Sequence, residues 1–326
     1  MTLYCTYFDQ RYLDRGLAMI RSLRAVDPEA RVAVLCLTAS CEEALVGLRE
    51  PGVTLIGLAD FERRNLDLLM LKSERTPRDY PFAFPSCLMV SLLSEVEPGE
   101  IVTYLDADLL FYSSPQPIFR AMDNGSVGLI GHRHHWWSKR LEKYGRTNVG
   151  WVSFRCDETG RAAAQWWRER CIEWCAAYLD GDRFAEQKYL DHMQQKFPRI
   201  VEIMHPGANI GPWNICRHSI ARGATGTLSV DSSFPLIFVH FSGVREAGPN
   251  VWLCSNLSYL GPFSRTVRNE LYRPYLRLLK SIRTELGGLP EEPTPDLRGS
   301  PPARRYRMRW LLRMAGWLAG HYVSVR

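Results

Sequence analysis

Ile101-Val102-Thr103-Tyr104-Leu105-Asp106-Ala107-Asp108 is the stretch on which the fold turns. Its first five residues are uncharged and β-prone, the pattern of a strand buried on both faces. Two carboxylates follow at alternate positions. In an extended segment side chains alternate, so Asp106 and Asp108 are expected to face the same way. In open α/β sheets ligands bind beyond the carboxyl ends of the strands, which is where this pair falls.

The segments before the pair agree with such a sheet. Leu3 to Phe8 is a short aromatic strand, and Tyr12 to Leu23 places apolar residues at helical spacing. Arg31 to Leu37 and Val53 to Ile56 are further strands, with a helix over Cys41 to Leu48 between them; Phe84 to Leu93 is another helix. Strands alternating with helices predict a parallel sheet. Beyond the pair, Val127 to Gly131, Val149 to Phe154 and Pro235 to Phe241 read as strands. Gly160 to Tyr178 reads as a helix with Trp166, Trp167, Trp174 and Tyr178 in the core.

The chain has 326 residues, 46% apolar and 23% charged, enough for one large domain or two fused halves. It contains no membrane-length apolar run and no leader-like amino terminus, so the expectation is neither a secreted nor a membrane-spanning protein. Nine scattered cysteines, without zinc-ligand spacing, are expected as core filler in a reducing cytoplasm. The formal charge is +6, but residues 297–326 carry seven arginines and no acid, leaving the rest at −1. That asymmetry argues against nucleic acid. Three parts are expected: a body over 1–286, a Pro/Gly-rich linker over 287–303 and a basic amphipathic tail over 304–326. Such a tail suits an anionic membrane surface, from the cytoplasmic side, with packing on the body or in a homo-oligomer as alternatives.

Hard cations such as Mn2+ or Mg2+ prefer carboxylate oxygens, so a paired aspartate at a strand end predicts a metal cradle; the plain alternative is a turn or a helix cap. Three later segments add to it: Asn148-Val149-Gly150-Trp151-Val152, Glu186-Gln187-Lys188-Tyr189-Leu190 and His240-Phe241-Ser242-Gly243. With Thr103 to Asp108, their order and spacing resemble the nucleotide-diphospho-sugar transferases of the GT-A fold, most closely the retaining glycosyltransferase family 8. The likeness covers roughly residues 1 to 245.

The resemblance implies an α/β GT-A fold: a single Rossmann-like, mostly parallel mixed sheet flanked by helices, with the basic tail appended. It implies a hexosyltransferase that uses a nucleotide-sugar donor, a UDP-sugar first, and a glycolipid or polysaccharide acceptor. Asp106, Asp108 and His240 would be the metal ligands. Thr6, Tyr7, Phe8 and Tyr12 would hold base and ribose, Asp106 and Ala107 the donor, and Asn148, Gly150, Glu186 and Gln187 the sugar pocket. Glu186 or Gln187 would present a partial negative group to the anomeric carbon. The family's Lys-Pro-Trp after Gly243 is replaced here by Val244-Arg245-Glu246, which makes Arg245 the substitute phosphate grip. The arginine expected in the helix before the acidic strand has no counterpart in Phe84 to Leu88.

His132 to Trp137 lacks zinc-ligand geometry and reads as a loop that touches donor or acceptor; His205 to Asn214 reads as a rigid turn suited to sugars. Two other classes stay open. A sugar-phosphate nucleotidylyltransferase would want a Gly-rich loop after the first strand, and Thr6 to Tyr12 has no glycine. A non-catalytic nucleotide-sugar-binding protein would keep the fold without turnover.

Overall fold

The computed structural model describes residues 2–248, 250–255, 259, 261–289 and 314–325. Strands β1 (Thr2–Phe8), β2 (Arg31–Cys36), β3 (Val53–Gly57), β4 (Ile101–Leu105), β6 (Val127–Gly131), β7 (Thr147–Arg155) and β8 (Ile200–Glu202) form one sheet in the order β3-β2-β1-β4-β7-β6-β8. Only β7 runs against its neighbours. Alternation along the pleat splits the core in two. Tyr4, Val32, Val34 and Cys36 point into one cluster, while Cys5, Ala33 and Leu35 point into the other.

Helices fill both faces, which is why β1, β2 and β4 read as continuous apolar runs. The first cluster takes Leu13, Leu17 and Leu23 from α1 (Leu13–Val26), Leu45 from α2 (Ala39–Leu48) and Leu276 and Leu279 from α9 (Arg273–Glu285). On the opposite face lie α3 (Leu58–Arg64), α4 (Leu66–Met70), α5 (Phe84–Leu93), α7 (Glu158–Glu173) and α8 (Lys188–Lys196). Fully buried side chains such as Leu17 and Phe84 each contribute about 1.5–3 kcal/mol of transfer free energy. The short α6 (Gln116–Met122) precedes β6.

Local signals set the helix ends. Thr38 accepts from Cys41 N (3.3 Å) to cap α2, and Asp157 accepts from Gly160 N (2.7 Å) to cap α7. Helix α7 stops at Glu173, short of the expected Tyr178. Trp174 is extended there (φ −156°, ψ 131°), under the guanidinium of Arg183 at 4.8 Å, and Ala177 N is drawn to Asp79 Oδ1 (2.9 Å). Trp167 is in the core as expected, whereas Tyr178 is exposed.

Three small sheets accompany the large one. β5 (Leu109–Phe111) pairs antiparallel with β12 (Phe238–His240), which sets His240 opposite Leu109. β9 (Ile220–Arg222), β10 (Leu228–Val230) and β11 (Phe234–Pro235) form an outlying meander. β13 (Arg245–Gly248), β14 (Val251–Leu253) and β15 (Tyr322–Ser324) form the third. Strand β15 belongs to the expected tail, so the end of the chain lies on the body, with His321, Val323 and Val325 buried. The arginines at 304–313 and nearly all of the linker fall outside the described residues. Among the described residues no helix is long and apolar enough to cross a membrane. All nine cysteines are free thiols, eight of them buried.

Candidate active site

The acidic pair does not lie on extended backbone. Asp106-Ala107-Asp108 is a tight turn from β4 into β5, closed by Leu109 N on Asp106 O (3.4 Å) and tied to β7 by Asp106 N on Gly150 O (3.1 Å). The turn still converges both carboxylates on His240, because Phe241 N bonds Asp108 O (2.9 Å) and locks β12 alongside. His240 Nε2 stands 2.9 Å from Asp108 Oδ1 and 3.5 Å from Asp106 Oδ2. One ligand atom from each of the three lies within 4.8 Å of the others.

Burial and charge set the two neighbouring carboxyls apart. Burial pushes the Asp106 pKa up, reinforced by Asp108 and only partly opposed by His240. Burial also works against a charged Asp108, but the charge and hydrogen bond of His240, with Arg15 behind, outweigh it and hold Asp108 below the ordinary range. Burial disfavours the His240 cation, and the two aspartates overcome that and raise its pKa. Tyr104, read from sequence only as part of the buried strand, donates its hydroxyl to Asp106 Oδ1 (2.9 Å).

Behind His240 runs a chain of hydrogen bonds. Asn148 Oδ1 accepts from Gly150 N (3.1 Å) and lies 3.2 Å from His240 Nδ1. Asn148 Nδ2 lies 3.0 Å from His132 Nε2, and His132 Nδ1 lies 3.2 Å from Arg146 O. Gly150 is required by this approach: a Cβ there would come within 2.6 Å of His240 Cε1. Gly243 turns the chain away after β12 with φ +79°, a conformation glycine adopts freely. Oxygen and imidazole ligands with open room beside them fit a hard or borderline divalent cation.

Asp106, Asp108 and His240 border a cavity of about 960 Å³. Of the residues singled out from sequence, Tyr7, Phe8, Tyr12, Ala107, Asn148 and Gln187 also line it. Thr6, Gly150, Glu186, Gly243 and Arg245 do not. Gln187 is held by Tyr144 O (3.1 Å) and Val149 N (3.4 Å). Glu186 is buried beside it, with Oε2 unpartnered and its pKa pushed up to about 8 by burial. Arg245 is exposed on β13, where it donates to Gly243 O (3.2 Å).

The wall facing Asp106, Asp108 and His240 is aromatic and uncharged. His132 and His134 stack at 4.9 Å, Trp213 meets His132 and His240 edge-on, and Tyr259 lies over His134. Burial lowers His132 to about 3 and His134 to about 4, so both are neutral. Trp213 Nε1 and His134 Nδ1 are buried and unpartnered. The two loops read from sequence as ligand-facing thus share one wall, while Arg78, Phe82 and Tyr259 on the same cavity carried no sequence signal.

The sheet order and the acidic turn at the end of the central strand define a GT-A fold. Among solved structures, the galactosyltransferase LgtC with donor and acceptor sugar analogs has the same fold, with a TM-score of 0.52 at 17% identity over 86% of this chain and 96% of LgtC. An active-site mutant of LgtC superposes with a TM-score of 0.50 at 16% identity over the same shares. No protein-family model matches the sequence. The chain belongs to the family of the Bacillus subtilis uncharacterized protein YfnF, with which it is 32% identical over 254 residues, 76% of this chain and 83% of YfnF. It is 28% identical to the uncharacterized protein YfnD of the same organism over 311 residues, 90% of this chain and 96% of YfnD.

Proposed function

We propose that this protein is a metal-dependent glycosyltransferase that moves a hexose from a nucleotide-diphosphate sugar, a UDP-sugar first, to a glycolipid or polysaccharide acceptor with retention. The observation that carries the reading is the convergence of Asp106, Asp108 and His240 at the edge of a large cavity in a GT-A fold. Those three side chains would hold Mn2+ or Mg2+, which when bound supplies charge neutralisation to a departing diphosphate. Tyr7, Phe8 and Tyr12 would face base and ribose.

The two aspartates cancel the charge of a divalent ion, so a diphosphate needs a further cation. Among the described residues Arg78 is the only lysine or arginine lining the cavity. It sits on a turn closed by Asp79 N on Thr76 O (3.0 Å) and pinned by Ala177 N on Asp79 Oδ1 (2.9 Å). Arg15 lies behind Asp108, yet its guanidinium is spent on Val244 O (3.0 Å) and Arg11 O (3.2 Å). Arg78 therefore takes the phosphate role in this reading. Gln187, which lines the cavity, would present its amide oxygen to the sugar, and the neutral wall of His134, Trp213 and Tyr259 suits hydroxyls rather than charged groups. Nine free thiols suit a reducing cytoplasm.

Incubation with Mn2+ and UDP-hexoses, followed by measurement of UDP release, tests the reading. Release is expected from the wild type and lost in Asp108→Ala, which should remain folded. UDP-hexose binding without release would make this a binding protein; pyrophosphate formed from a nucleoside triphosphate and a sugar phosphate would make it a nucleotidylyltransferase.

A further inference from the structure

The chain of hydrogen bonds behind His240 has a direction, which donor and acceptor chemistry fixes. Asn148 Oδ1 accepts from Gly150 N (3.1 Å), so that atom is the amide oxygen. An amide oxygen can only accept, so the His240 nitrogen facing it, Nδ1, must carry the hydrogen (3.2 Å). On the carboxylate side Nε2 donates to Asp108 Oδ1 (2.9 Å); with the other hydrogen fixed on Nδ1, Nε2 is the nitrogen whose lone pair opens when a cation replaces that proton.

At its other end the amide NH2 faces His132 Nε2 (3.0 Å), which must therefore accept. His132 Nδ1 then donates to Arg146 O (3.2 Å), and His132 is buried and neutral, so one tautomer satisfies both contacts. Gly211 N and His132 O fix Asn214 in turn: Asn214 Oδ1 accepts from Gly211 N (3.0 Å), and its Nδ2 donates to His132 O (2.9 Å), which anchors the segment that carries the ring.

Resting on the metal-site reading above, we infer that His132 is a positioning residue: through the amide of Asn148 it holds His240 in the tautomer that offers Nε2 to a divalent cation. Without an acceptor at His132, the Asn148 NH2 is buried and unpaired, and Gly150 N (3.1 Å) alone holds the amide in its present orientation. Turned over, it would present NH2 to His240 Nδ1, draw the ring hydrogen onto Nε2 and close the ligand nitrogen. His132 thus acts on the hydrogen bond of a ligand, a kind of contact whose loss weakens metal binding by about ten- to a hundredfold.

The test is Mn2+ affinity measured by electron paramagnetic resonance of free Mn2+, alone and with UDP, on the full chain. His132→Leu removes the acceptor and is expected to weaken Mn2+ binding about tenfold or more. Arg146 O keeps its bond from His132 N (2.9 Å), so the fold should persist, with a melting temperature lowered by a few degrees for the unpaired Asn148 NH2. His132→Gln can offer Oε1 to the Asn148 NH2 and is expected to restore affinity to within a few-fold of wild type. Wild-type affinity in His132→Leu, or a Gln variant as weak as the Leu one, would overturn the inference. Should His132→Leu not fold, His132→Phe decides: its ring fills the same place without an acceptor, so Mn2+ binding is expected to weaken about tenfold, and wild-type affinity in it would overturn the inference. A wild type that binds no Mn2+ under either condition defeats the metal reading itself, a result distinct from equal binding by wild type and His132→Leu.

Discussion

Glu186 is a carboxyl that the fold cannot charge cheaply. Its pKa rises from an ordinary 4.5 to about 8 by burial, and Oε2 has no partner. Between those values the folded state keeps a proton that the unfolded state has lost, so unfolding releases a proton and stability falls as pH rises through the window. Below about 4.5 both states are protonated and the penalty vanishes. Gln carries no such proton. Glu186→Gln should therefore melt close to wild type near pH 5 and above it near pH 8.5, by on the order of a few kcal/mol. Thermal melts of both proteins across pH 5 to 9 check this, and parallel curves would refute it. Asp106, Asp108 and His240 were legible because a buried strand, a spacing and a late His-Phe-Ser-Gly marked them. The burial of Glu186 was not legible, since a helix-start glutamate looks the same in sequence whether solvated or enclosed. Nor was the pairing of Asn148 with His132, which joins β7 to the residue that follows β6.

At the scale of elements, β1 to β4, β6 and β7 were readable because each is an apolar run, most of them buried on both faces. What the pattern lacked was pairing: the reversal of β7 and the turn at Asp106 depend on partners far along the chain. β15 was hidden for another reason. Tyr322–Ser324 is three residues long, too short for a period, and sits at the end of a segment whose arginines dominate its reading. Its register sets Val323 against Trp252, both almost fully buried. Cys254 N bonds His321 O (2.8 Å) and Phe263 N bonds Ala319 O (2.8 Å), so the chain end braces the segment that carries Tyr259 to the cavity. Val323→Ala should cost about 1–3 kcal/mol in urea unfolding, through lost burial and a residual cavity. An unchanged midpoint would mean that β15 does not hold this edge.

Over the whole molecule, the site draws on both halves of the core. Tyr7 and Phe8 end β1, Asp106 to Asp108 follow β4, Asn148 is the second residue of β7, Gln187 heads α8 and His240 ends β12. The α5–α7 cluster positions Tyr104 and the α1–α9 cluster positions Leu109, on either side of the acidic turn. The site is incomplete if either half unfolds alone, so a ligand held by the whole site should stabilise the entire body and not one subdomain. At a hundred times its dissociation constant such a ligand adds about 2.7 kcal/mol. For a domain of this size that is roughly 5 °C. Mn2+ with UDP should raise one cooperative melting transition by about that amount, rising with the logarithm of UDP concentration, and EDTA should reverse it. A transition that splits in two on addition of ligand, with only one part shifting, would show that the halves of the core fold independently and that the site is not their joint product.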